Sequence, residues 1–285
     1  MPPYSRLYSS QAFSLRRQHA YSHENSMQTV LFHNTVFGPI HSRRLGTSLG
    51  VNLMPNDGKI CSFDCLYCEA GYNAQGSGTT GLPTRTQVET QLEARLEAMK
   101  AAGERLDVIT FSGNGEPTLH PEFGGIIDDT IALRDRYFPQ VKISVLSNAT
   151  RLGCEAVGKA LAKVDNNILK LDSAIADTIR MLDRPAPGYD HERVIEQIAS
   201  FGGQAIVQTM ICCGEHDGRV VDNSTDDEVD ALIEAYRRMA PREVMIYTID
   251  RPTPEVLLRK VPRQRLDEIA ERIRTAIGVD VQVSG

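Results

Sequence analysis

The sequence has no tryptophan, an absence that excludes little. Other absences exclude more. No stretch approaches the roughly 18 to 20 consecutive apolar residues that a membrane-spanning helix needs, so no membrane partner is expected. The formal net charge of −6 over 285 residues leaves no general basic surface, and any nucleic-acid partner would need a local patch. The first 26 residues lack an acid before Glu24 and lack the apolar run of a secretory signal, although they carry Arg6, Arg16 and Arg17. They read as a disordered N-terminal extension, residues 1–26, ahead of one domain over residues 27–285. Six cysteines are too few for a disulfide scaffold in a chain of this length, and a cytoplasmic location is expected.

What is present is a repeating pattern. From residue 49 onward, short runs rich in Val and Ile alternate with amphipathic stretches, the mark of βα units and a parallel sheet. Strands are expected at residues 49–54, 107–111, 142–146, 168–171, 205–211 and 243–249, with a seventh at 279–283. Helices are expected at residues 87–102, 123–137, 155–163, 193–201, 227–239 and 263–276. No Pro/Ser linker divides the series, so the fold class is α/β, a partial (βα)6 TIM-like barrel in a single domain. In such sheets the chemistry sits on loops at the C-terminal ends of the strands, and the polar clusters of this sequence fall there.

The most informative cluster is Cys61-Ser-Phe-Asp-Cys65-Leu-Tyr-Cys68. Thiolates suit zinc or iron–sulfur clusters, but a closed zinc site wants four ligands, and no second cysteine pair follows. Three thiolates on a [4Fe–4S] cube would leave one iron free to chelate a small molecule. The competing reading is a non-catalytic zinc-binding module completed by His120, His191 or Cys154. A second cluster, Gly113-Asn114-Gly115-Glu116-Pro117, follows the second expected strand: its glycines let backbone approach a ligand, and its carboxylate suits an ammonium group.

The C-x3-C-x-aromatic-C pattern, with Tyr67 as the aromatic residue, resembles the signature of the radical S-adenosylmethionine (SAM) superfamily. The resemblance implies a [4Fe–4S] cluster held by Cys61, Cys65 and Cys68, and SAM as second cofactor. It implies reductive cleavage to a 5′-deoxyadenosyl radical that abstracts hydrogen, with electrons from an external donor, flavodoxin or ferredoxin. Gly113, Asn114, Gly115 and Glu116 stand where the superfamily contacts the SAM amino group, and Asn148 and Asp172 end the strands from which it commonly holds the SAM carboxylate and ribose. A narrower resemblance, to the bacterial branch of the wyosine-type tRNA synthetase family, rests on residues 38–46, 112–121 and 250–254. It implies a tRNA base as substrate, with a small metabolite or a protein as the alternative. Unlike archaeal members of that family, residues 1–60 contain no cysteine and a single lysine, Lys59.

Two further candidates stand beside these. Arg251 could meet a substrate carboxylate or phosphate, or simply pair with Asp250 or Glu255. Lys170 could anchor substrate if it points into the barrel. Cys154, Cys212 and Cys213 are expected to pack rather than ligate. Arg259, Lys260, Arg263 and Arg265, with His41, Arg43 and Arg44, are the one basic feature that favours RNA.

Overall fold

A computed structural model describes residues 30–42 and 44–285; the expected N-terminal extension lies outside the described residues. An antiparallel pair, β1 (Val36–Ser42) and β2 (Gly46–Val51), starts the main sheet. Parallel strands β3 (Val108–Phe111), β4 (Lys142–Ser147), β5 (Asn166–Lys170) and β6 (Ile206–Met210) follow in spatial order. Between them run α1 (Arg85–Ala101), α2 (Phe123–Tyr137), α3 (Glu155–Leu161), α4 (Ala176–Leu182) and α5 (His191–Ala199). A hairpin of β7 (Cys212–His216) and β8 (Arg219–Asp222) precedes α6 (Asp226–Met239) and β9 (Glu243–Tyr247). The short β10 (Arg259–Lys260), α7 (Arg263–Ile277) and β11 (Asp280–Ser284) complete the chain. The eight-stranded sheet, ordered β1-β2-β3-β4-β5-β6-β9-β11, curls into a half-barrel, while β10, β7 and β8 form a small second sheet.

The seven expected strands and six expected helices are all present, with ends shifted by a few residues. The sequence reading missed β1, α4 and the small sheet. The helix and the small sheet's strands are short, and β1, though seven residues long, carries no apolar alternation that would have marked it.

Local chemistry explains the helices. Thr84 caps α1 with a reciprocal bond from Gln87, Asp190 caps α5, and Thr225 caps α6 ahead of Asp226, Asp227 and Glu228, acids that favour a helix start. Core strands such as β3 are buried on both faces, as a helix-covered parallel sheet requires.

The barrel interior is layered. Ile168, Ile206 and Met245 form an apolar lower layer, joined by Leu45 and Leu146. Two residues further along the same strands, the inward positions are Lys170, Gln208 and Tyr247. The period of two therefore lifts the interior from apolar to polar toward the C-terminal ends of the strands.

A candidate radical site at the C-terminal rim

Cys61, Cys65 and Cys68 all line one cavity of about 310 Å³, together with Gly115, Glu116 and Lys170. The loop that carries them is held from two sides. On one side Ile60 bridges to the loop after β3: its N–H donates to the Asn114 carbonyl at 3.1 Å, and its carbonyl accepts from Glu116 N–H at 3.0 Å. On the other side Asp64 N–H donates to the Asp183 carbonyl at 3.0 Å and Leu66 N–H to the Leu182 carbonyl at 2.9 Å. The end of α4, absent from the sequence reading, thus fixes the middle of the cysteine loop.

Gly115 is what permits the first clamp. A Cβ there would lie 1.9 Å from the Ile60 carbonyl oxygen, and its φ of +144° disfavours any side chain. Gly115→Ala is expected to cost about 2 to 4 kcal/mol, the sum of backbone strain and overpacking. A chemical denaturation midpoint unchanged from wild type would refute the clamp.

Glu116 is buried and engaged inside the protein. Its Oε1 accepts from Thr118 N–H at 3.1 Å, Thr118 Oγ1 at 2.6 Å and Ser147 Oγ at 2.8 Å, and its Oε2 accepts from Asn148 N–H at 2.7 Å. Burial nevertheless outweighs these bonds and pushes its pKa up. Asn148 extends the network, its Nδ2 donating to Ser62 Oγ at 2.9 Å and lying 3.6 Å from Cys61 Sγ. One carboxylate therefore knits the rims of β3 and β4 to the cysteine loop.

Not every expected contact faces the cavity. Asn114 is fully buried, its amide accepting from Phe32 N–H at 2.8 Å and donating to the Phe32 and Pro55 carbonyls at 2.9 and 2.8 Å. Asp172 is also buried: its Oδ1 accepts from Met210 N–H at 2.9 Å, and its Oδ2 is shared by Lys170 and Tyr67. Neither side chain lines the cavity, whereas Tyr67, Gly113 and Asn148 do. Lys170 points inward, where it also donates to Asp183 at 2.7 Å. Arg251 sits at the mouth and pairs with Glu69 at 2.6 Å, an exposed contact to neither of its two expected partners.

The thiols are tuned by their surroundings. Burial, then the Glu116 carboxylate, pushes Cys61 up to about 12, and burial holds Cys65 well above the usual thiol value. A metal that binds them must displace protons. Lys59, buried two positions before Cys61, donates to the Gly71 carbonyl at 2.7 Å. Burial opposes its charge, but Cys68, Cys61, Cys65 and Asp64 outweigh it and hold its pKa above the usual lysine value. A buried cation, paired with Asp64 at 3.3 Å, thus sits beside the cysteine loop.

Among the described residues, no group of three His, Cys, Asp or Glu side chains is placed to hold a single metal ion. His120, a nominated fourth zinc ligand, uses both ring nitrogens, Nε2 at 2.8 Å from the Pro83 carbonyl and Nδ1 accepting from Glu122 N–H at 3.1 Å. Cys212 packs in an apolar cluster with Leu66 and Leu182, as expected of a core thiol.

Comparison with known proteins decides the family. The Radical SAM superfamily pattern matches residues 56–217, more than half of the chain. The chain belongs to the Radical SAM superfamily. Its cofactors are those of the superfamily, a [4Fe–4S] cluster and SAM, and it is an enzyme, which overturns the zinc-module alternative. Over 275 residues it is 29% identical to the UPF0026 protein slr1464 of Synechocystis sp., covering 87% of this chain and 95% of that one. It is 24% identical to a Brachyspira hyodysenteriae protein named GTPase Obg over 91% of this chain, yet spans only 36% of that relative's length. Among solved structures, a radical SAM methyltransferase from Sphaerobacter thermophilus aligns with a TM-score of 0.63 at 18% identity, over 83% of this chain and 65% of that one. Streptococcus suis SuiB bound to S-adenosylmethionine aligns with a TM-score of 0.59 at 14% identity, over 83% and 50%. At these identities the likeness is one of fold.

Within this radical SAM fold, sequence reasoning named Lys59 without giving it a site role and missed Asp183, Gln208 and Tyr247. Only Lys59 carried a signal, its position beside the cysteines. Asp183 has a measurable consequence. Burial pushes its carboxyl up to about 7, against the pull of Lys170 and with the push of Asp172. A carboxyl raised above its unfolded value holds an extra proton when folded, so its contribution is fully present below about pH 4 and is lost as pH rises through about 7. Wild type is expected to lose about 2 to 4 kcal/mol from this group between about pH 4 and about pH 8, and Asp183→Asn to flatten that slope. Parallel pH profiles of the unfolding midpoint, with equal slopes in the two proteins, would contradict it.

Proposed function

We propose that Cys61, Cys65 and Cys68 ligate the [4Fe–4S] cluster and that SAM binds beside it, along the rim formed by Gly113, Gly115, Glu116 and Asn148. The observation that carries this reading is the presence of three thiols, and among the described residues no fourth cysteine or histidine, on one cavity wall. When bound, the cluster and SAM would supply one-electron reductive chemistry leading to hydrogen abstraction from substrate. The residues of this chain do the rest. Lys59 offsets the negative charge of the thiolates, Asn148 orients Cys61, and Glu116 fixes the rim at which the amino group of SAM is received. Asn114 and Asp172 position that rim from below, and the barrel wall shields the cavity from water. Radical SAM enzymes generally need an external reductant, and flavodoxin or ferredoxin fills that role here.

The finer reading is wyosine-like modification of a tRNA base. What supports it is that all three segments of the narrower resemblance meet at the cavity and its mouth: Arg44 from the first, Ser112, Gly113, Gly115 and Glu116 from the second, Arg251 and Thr253 from the third. A small-metabolite or protein substrate is favoured instead by the C-terminal arginines. Arg263, Arg265 and Arg272 are engaged by Asp267, Asp226 and Asp230 rather than left open to phosphates.

Anaerobic reconstitution with an iron count, followed by SAM cleavage with and without tRNA, tests both levels. About four irons per chain and methionine release under a strong reductant are expected. Iron-free protein that leaves SAM intact would sink the reading. Faster cleavage and incorporation into tRNA support the finer one, and indifference to tRNA turns it to a small substrate or protein.

A further inference from the structure

The guanidinium of Arg44 stands inside the cavity without a counter-ion among the described residues. Arg44 belongs to the turn between β1 and β2, at the end of the barrel opposite the cysteine loop, and its neighbour Leu45 packs into the apolar lower layer. From there the side chain reaches the polar layer. Its Nη1 donates to Gln208 Oε1 at 2.6 Å, its charge lies 4.5 Å over the Tyr247 ring, and Gln208 Nε2 donates to Tyr247 Oη at 3.3 Å. Gln282 of the last strand donates to the Arg44 carbonyl at 3.3 Å, which ties the turn to the far edge of the sheet.

This arrangement fixes the guanidinium but does not neutralise it. A guanidinium has five N–H donors, and one is used by a side chain; among the described residues the others have no partner and no carboxylate forms an ion pair with Arg44. The remaining charges of the cavity are accounted for. Lys170 is shared by Asp172 and Asp183, Glu116 is held by four donors, Glu69 pairs with Arg251, and Lys59, behind the cysteine loop, pairs with Asp64. Arg44 is thus a preorganised cation with donors to spare, held by β6 and β9, across β5 from the rim of β3 and β4 where Glu116 and Asn148 sit. Arginine in this state suits a planar or tetrahedral oxyanion.

We infer that Arg44 is the anion-binding group of the substrate subsite, and that the substrate carries a carboxylate or a phosphate which Arg44 seats at the floor of the cavity. Gln208 and Tyr247 are positioning residues that aim it. The inference rests on the proposed reading of the cavity as the radical site, and it holds for a small metabolite and for an RNA alike.

The test uses anaerobically reconstituted holoenzyme with SAM bound. Inorganic phosphate is followed by its phosphorus resonance and trifluoroacetate by its fluorine resonance, and line broadening reports binding to wild type, Arg44→Gln and Arg44→Lys. One of the two anions is expected to bind wild type at least about tenfold more tightly than Arg44→Gln, with Arg44→Lys between them, because lysine keeps the charge and loses the fork. The anion that discriminates names the class. Tyr247→Phe, which keeps the ring and frees Gln208, is expected to weaken the same anion less than Arg44→Gln does. Equal broadening by wild type and Arg44→Gln with both anions overturns the inference, and so does a matching fall in SAM affinity in Arg44→Gln, which would give the guanidinium to the cofactor. Failure of wild type to take up a cluster and cleave SAM strikes the underlying reading instead.

Discussion

Alanine at Cys65 is expected to abolish SAM cleavage while leaving the chain folded. Cys65 is buried on the cavity wall, and its loop is held by backbone bonds from Asp64 to Asp183 and from Leu66 to Leu182 that do not use its sulfur. Removing one thiolate of three leaves two ligands for a four-iron cube, too few to hold it against loss of iron. Even outer-shell partners of a metal site are worth about 10- to 100-fold, so a loss beyond about 100-fold is expected for a direct ligand. Cys212→Ala provides the contrast. Its sulfur fills an apolar cluster with Leu66, Leu182 and Val221, so its removal is expected to lower stability by about 1 to 2 kcal/mol and to leave the iron content near wild type. Iron counts, methionine release and denaturation midpoints on the two variants separate ligation from packing. Full cleavage by Cys65→Ala, or iron loss confined to Cys212→Ala, would reverse the assignment.

The contrast between these cysteines shows what the sequence alone could carry. Spacing separates Cys61, Cys65 and Cys68 from Cys212 because the proposed ligands of one cluster must be near in space, and these three are near in the chain and line one cavity. Strand and helix periodicity was equally legible, since buried parallel strands such as Val108–Phe111 are short apolar runs with little else to be. What periodicity cannot show is which polar side chain turns inward. Asn114 and Asp172 stood at the right ends of the right strands, yet both spend their polar atoms on Phe32, Pro55, Met210 and Lys170. Arg44 was legible only as part of a basic stretch and of the segment 38–46, because its value comes from Gln208 and Tyr247, more than 160 residues away in the chain. Asp183 carried no signal, since its role depends on a seven-residue helix too short to announce itself.

That short helix makes Lys170 the residue whose loss should spread furthest. Its Nζ is the one cation between Asp172 and Asp183, both of which are buried, and burial of the ammonium is outweighed by the two carboxylates, which hold its pKa well above the usual lysine value. Lys170→Met keeps the volume and removes the charge, leaving two acids in a dry site. Stripping one partner from a buried ion pair costs about 3 to 5 kcal/mol, and that range is expected here at neutral pH. The cost should shrink as pH falls and the acids take up protons, and Lys170→Met with Asp183→Asn should be more stable than Lys170→Met alone, because only one carboxylate then lacks its cation. The damage should reach the cysteines by two routes. Asp183 offers its carbonyl to Asp64, and Asp172 holds the phenol of Tyr67, one position before Cys68. Iron retention in Lys170→Met is therefore expected to fall by about 10- to 100-fold under a chelator challenge, the range for a supporting residue of a metal site. A variant that loses less than about 1 kcal/mol and keeps its iron would mean that the two carboxylates are neutral in the folded protein and that the ammonium is not what holds the cysteine loop in place.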